Sequence, residues 1–217
     1  MMESTSSRNC PRCGTPTEPD ALFCPTCGTP MMGPSDSSGG PVPYLISPTR
    51  IIILNILSLG LYTLYWLYKT WQQYRDHTGE QVFPVWHGLT AFVPVYGSFR
   101  AHAHLRLFGE LAVAAGLALA FAPGLGFAGV LVGWLRLFVA EGSAASYALL
   151  AISIAAQLVM MLHAQPRINA YWFHMYGSRV VSMGVGKGEI VVAIFGVLGW
   201  LGLMGGGANT GMENAAP

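Results

Sequence analysis

The chain has 217 residues, of which 53% are hydrophobic and only 10% charged, with a formal net charge of +1. A soluble domain carries about a quarter charged residues, so too few are present here to cover a globule in water. The near-neutral balance also leaves no strong field for nucleic acid or an acidic partner.

The opening segment, "MMESTSSRN", is polar and lacks a basic-then-apolar leader, so the amino terminus is expected to stay in the cytoplasm. All four cysteines follow within a short distance: Cys10, Cys13, Cys24 and Cys27. They form two C-x-x-C pairs, "CPRCGT" and "CPTCGT", with ten residues between them. Two such knuckles supply the four soft ligands of a tetrahedral zinc site. Gly14 and Gly28 permit the tight turns and let backbone N–H groups face the thiolates. Iron takes the same four sulfurs, and zinc is the expected metal. A segment this short builds no core of its own, so metal would have to fold it. A disulfide pair is disfavoured in a reducing compartment, and the βαβ context of a thioredoxin-type motif is lacking. Between the knuckles stand Glu18 and Asp20 without Lys or Arg, which argues against phosphate binding.

The repeated C-P-x-C-G, with "FC" before the second pair, resembles the short zinc ribbons at the amino end of many bacterial proteins. That resemblance covers residues 9–30 and implies a structural zinc and a protein-contact role. Residues 31–43, "MMGPSDSSGGPVP", read as a flexible tether between a ribbon over 1–30 and a membrane helical domain over 44–207. A disordered tail is expected over 208–217.

Five apolar stretches follow, at 51–68, 82–99, 111–134, 144–162 and 190–207, each at least 18 residues long and uncharged. Eighteen helical residues reach about 27 Å, close to the roughly 30 Å hydrocarbon core. The expected fold is an all-α polytopic membrane bundle of about four to five transmembrane segments behind a ribbon of short β-hairpins. Pro84 and Pro94 weaken the second stretch as a span, and "APGLG" at 122–126 interrupts the third. The Lys and Arg positions make the first two stretches a unit that crosses twice or forms a re-entrant hairpin. With five spans and the ribbon inside, the inner segments hold eight Lys or Arg residues, Arg8 to Lys187. The outer ones hold three, Lys69, Arg75 and Arg136. This bias points to the inner membrane with the amino terminus cytoplasmic.

At the end of the first stretch and just beyond it, Tyr62, Tyr65, Trp66, Tyr68 and Trp71 crowd together, as aromatic anchors at the headgroup level do; a lipid or ligand groove is the alternative. Gly60 is expected to break that span near its middle. "SLGLYTLYW", with "FPVWHGL" at 83–89 and "QPRINAYW" at 165–172, resembles the bacterial membrane family labelled domain of unknown function 4234. The resemblance covers about 45–205 and implies no activity.

Residues 165–179 read as a separate interfacial helix, with Ile168, Tyr171, Trp172, Met175 and Tyr176 on one face. Gly196, Gly199, Gly202 and Gly205 form a stripe in the last stretch, and Gly129 and Gly133 a pair in the third. Both suit close packing within the chain first and a homo-oligomer second. The six histidines read as solvated or headgroup-level residues rather than metal ligands. Asn55 and Gln157 lie in the spans, and no buried ion pair is legible. No nucleophile–base pair, phosphate loop or paired carboxylate is present, so no enzyme is expected. The resulting expectation is a zinc ribbon that contacts an unidentified cytoplasmic protein and is anchored to the lipid bilayer. A small channel or transporter regulated by the ribbon is the alternative.

Overall fold

The structure is a computed structural model that describes residues 8–9, 13–17, 26 and 42–213. The chain divides into two compact units, Met1–Gly40 and Pro41–Pro217. In the first, strand β1 (Arg8–Asn9) pairs antiparallel with β2 (Pro16–Thr17), Arg8 opposite Thr17. Of the rest of the expected ribbon, only residues 13–15 and 26 are among the described residues.

The second unit is helical. A short strand β3 (Tyr44–Leu45) leads into α1 (Pro48–Leu57), which opens on an N-cap. The Ser47 hydroxyl accepts the Arg50 N–H at 3.2 Å, and Pro48 occupies the first turn. The stretch 51–68 is not one helix, because α1 ends where Leu59 and Gly60 turn left-handed, with φ of 53° and 91°. The Gly60 N–H closes the end on the Asn55 carbonyl at 2.8 Å, a Schellman-type stop. The break expected at Gly60 is therefore present, and α2 (Tyr62–Thr78) starts just beyond it.

The second and third stretches are also divided. Pro84 and Pro94 each open a helix, α3 (Pro84–Leu89) and α4 (Pro94–Ala114), where a missing N–H costs least. Helix α4 stops at Gly116, φ 74°, with Leu117 N–H bonded to the Ala112 carbonyl at 2.8 Å and Gly116 N–H to that of Val113 at 2.9 Å. Helix α5 (Pro123–Trp134) is only 12 residues long, about 18 Å and too short to cross a bilayer. It folds back on α4, with Phe99 and Phe127 ring centroids 5.2 Å apart and Gly126 against the Ala101 backbone.

Helix α6 (Ala144–Tyr176) runs unbroken for 33 residues, about 50 Å. It absorbs the segment read as a separate interfacial helix. Pro166 sits inside it, and the Arg167 guanidinium donates to the His163 carbonyl one turn back. Strand β4 (Val181–Ser182) then pairs parallel with β3, and α7 (Lys187–Glu213) follows, running six residues past the boundary expected at 207. Among the described residues two helical stretches are long and apolar enough to span a membrane, Ala144–Arg179 and Lys187–Gly205. The expectation of about four to five fails because paired prolines and left-handed glycines end the other apolar runs early.

The core gathers α2, α4 and α6. Tyr62, Trp66 and Trp71, expected as interfacial anchors, are instead buried with Phe108, Met160 and Trp172. Glycine sets the spacing, with Gly129 against Met160 and Gly133 against Ser153. On α7 the stripe is split. A Cβ at Gly196 would collide with the backbone of Leu57 and Ser58, and one at Gly199 would meet Leu59, whereas Gly202 and Gly205 face open space.

This asymmetry predicts that Gly196→Ala destabilises the bundle by about 1–3 kcal/mol. Gly202→Ala should stay within about 0.5 kcal/mol. Unfolding midpoints of the detergent-solubilised chain separate the two.

Candidate functional site

Two places carry chemistry. In the first unit, Cys13 precedes β2, in the segment that follows β1, with Gly14 at φ 74°. That left-handed glycine is what a C-x-x-C-G knuckle requires to turn its backbone toward the sulfurs. Cys13 is exposed, its Sγ 3.2 Å from the Thr15 hydroxyl. Cys10, Cys24 and Cys27 lie outside the described residues. Among the described residues no three potential ligands stand together. The donor set is four thiols, and the described knuckle has the turn and accessibility that such a metal needs.

The second place is a buried ion pair that the sequence did not disclose. Arg50, on the first turn of α1, reaches Glu189, on the first turn of α7, across 139 positions of chain. Its Nε donates to Glu189 Oε1 at 2.7 Å, and Nη2 completes a bidentate bond to Oε2. Further guanidinium bonds go to the Met183 and Gly184 carbonyls. Glu189 also accepts the Gly186 N–H at 3.0 Å and the Tyr62 hydroxyl at 3.3 Å, and its side chain is 2% exposed. The carboxylate and guanidinium are therefore fully engaged, as buried charges must be. Beside the pair opens a cleft of about 640 Å³, lined by side chains of α1, of α7 and of the segments around β3 and β4, seven of the twelve apolar.

Other polar side chains point inward too. Trp66 Nε1 donates to Gln165 Oε1 at 2.6 Å, Gln165 Nε2 to Asn169 Oδ1 at 2.8 Å, and Asn169 Nδ2 to the Ile46 carbonyl at 2.8 Å. The Thr63 hydroxyl lies between Asn55 Oδ1, at 3.1 Å, and Gln157 Oε1, at 3.0 Å.

Two of the histidines are placed differently from expectation. His104 is fully buried, its Nε2 2.8 Å from the Thr70 hydroxyl, with Trp66, Trp71 and Phe108 around the ring. His77 lies between the Tyr171 and Tyr176 hydroxyls at 2.7 and 3.0 Å. Both are structural, and burial pushes both imidazoles below the ordinary histidine range. His102 and His104 do face different surroundings, half-buried against buried, as their spacing on one helix required.

Residues 6–31 match the family model of the zinc-ribbon domain. The ribbon match covers the four cysteines and both knuckles and stops short of the helical unit. No curated protein and no solved structure matches the chain. Zinc-ribbon domains bind zinc as a structural metal, and the ribbon's donor set fits that role.

The signal for Glu189 was available. It is the only acidic residue between Glu141 and Glu213, at the edge of an apolar run, and such a charge needs a partner. Nothing local could name Arg50.

Two predictions follow from this geometry. Glu189→Gln strands the Arg50 charge and should cost about 3 kcal/mol, while Arg50→Met with Glu189→Leu should restore most of it. For His104 the folded-state value, about 3, lies below the unfolded one, so the fold disfavours the proton. Its contribution is complete above about pH 6.5 and is lost as pH falls toward the folded value, at up to about 1.4 kcal/mol per pH unit. Denaturation profiles at pH 7.5 and 5 should show a steeper loss than those of His104→Gln.

Proposed function

We propose that this chain is a membrane-anchored zinc-ribbon protein, in which Cys10, Cys13, Cys24 and Cys27 hold one structural zinc and the ribbon binds a cytoplasmic protein partner. The helical unit is the anchor, in the inner membrane with the ribbon on the cytoplasmic side, and the chain catalyses no reaction.

One observation carries the membrane part. From Ile190 to Gly205 helix α7 is apolar on every side, yet only 11% of its Lys187–Gly205 window is buried. Ile190, Ile194, Phe195, Leu198 and Leu201 all stand at least half exposed. The core helix of a soluble protein hides such residues, while a helix in hydrocarbon displays them. Polar side chains inside and apolar ones outside fit the same solvent. The ribbon part is supported by the family match and by the left-handed turn at Gly14. The resemblance of about 45–205 to the uncharacterised membrane family agrees with an anchor and adds no activity.

The small channel or transporter regulated by the ribbon remains the second reading, favoured by the Arg50–Glu189 pair and the Asn55–Thr63–Gln157 cluster. It requires solute flux in vesicles that falls when Gln157 is replaced by Leu.

Fractionation with metal analysis of the full chain tests the main proposal. The protein should float with membranes and carry about one zinc per chain. Cys24→Ser should lose the zinc and the partner cross-linked to the ribbon, yet remain in the membrane fraction. A freely soluble chain, or partner capture unchanged by Cys24→Ser, would refute it.

A further inference from the structure

We infer that the cleft between the first turns of α1 and α7 holds one acyl chain of a membrane lipid, an inference that rests on the membrane reading above. Its volume, about 640 Å³, falls in the range of roughly 300–1,000 Å³ in which small-molecule sites are found. Its lining is amphipathic. Ser47, Thr49 and Ser182 line it together with Arg50 and Glu189, and the other seven lining side chains, Ile53, Leu54, Ile190 and Ala193 among them, are apolar.

Continuity decides the occupant. Ile53 and Ile190 line the cleft, yet they are 57% and 52% exposed. From Ile190 the apolar surface runs on to Ile194 and Leu198 of α7, also exposed. An alkyl chain lying along α7 therefore enters the cleft without passing a polar barrier, and its head stays beside the hydroxyls. The charge pattern selects for the chain rather than the headgroup. Four guanidinium bonds are already made, to Glu189, Met183 and Gly184, and Glu189 cancels the charge. Little of Arg50 is left to attract a phosphate.

The test uses the full chain in vesicles of phosphatidylethanolamine and phosphatidylglycerol with a trace of phosphatidylethanolamine bearing a diazirine on its acyl chain. Labelled peptides are mapped by mass spectrometry. Label should concentrate around Ile53 and Ile190. Ala193→Trp, which fills the cleft, should lower it about tenfold, the change given by about 1.4 kcal/mol of lost affinity. Ala193→Leu should give a smaller loss and serves if the larger side chain disturbs insertion. Val191→Trp, exposed and outside the cleft, should change nothing. Omitting phosphatidylglycerol should leave the pattern intact. Uniform label along α7, label at Ile53 that survives both Ala193 variants, or a strict need for the anionic lipid would overturn the inference. Failure of the chain to enter vesicles would instead overturn the membrane reading, and this inference with it.

Discussion

The helical unit depends on a single charge-assisted contact. Arg50 and Glu189 join the first turns of α1 and α7, and through the Met183 and Gly184 carbonyls they hold the segment that carries β4 alongside β3. A strand pair of two residues on each side has little stability of its own. The ion pair beside it supplies what the pairing lacks. A buried pair need not be more stable than a hydrophobic one of the same shape. Its value here is positional, since a bidentate fork accepts one geometry and so fixes where α7 leaves the strand.

The same logic extends through the interior. Trp66, Gln165 and Asn169 form a line of hydrogen bonds that ends on the Ile46 backbone, next to β3. Thr63 joins Asn55 at the end of α1 to Gln157 of α6. In the proposed membrane setting, apolar side chains gain nothing by leaving hydrocarbon for the core, so specificity falls to polar bonds and close backbone contact. Gly60 supplies the second, because Gln157 packs where its Cβ would stand. The left-handed Leu59 beside it costs about 1–2 kcal/mol, a strain held in place by the Asn55 carbonyl and the contact with Gly199.

Features written in local chemistry were legible in the sequence. The turn at Gly14 and the interruption at Gly60 depend on neighbouring residues, and the spacing of Gly129 and Gly133 on one helix marked them for close packing, though not their partners Met160 and Ser153. Span count was not legible, because uncharged length does not reveal where a helix stops. The stop after Ala114 needs one glycine at a positive φ and two carbonyls to receive its bonds, and hydropathy is blind to both. The aromatic residues of α2 misled for a related reason. Tyr and Trp suit an interface or a core equally well, and only the arrival of α4 and α6, from distant sequence, buries Trp66 and Trp71. Glu189 stood out as a lone acid at the edge of an apolar run, and its pairing with Arg50 was hidden by their separation of 139 positions.

The two units also draw their order from different sources. A ribbon of this size has no core to speak of, and in the proposed reading its fold is the metal's binding energy, on the order of 10–16 kcal/mol. In the same reading the helical unit takes its order from interior hydrogen bonds and glycine contacts in a lipid solvent. In the proposed reading, loss of zinc or oxidation of a thiol therefore removes the ribbon's own source of order, and a partner that binds the ribbon is released by a change in metal or redox state.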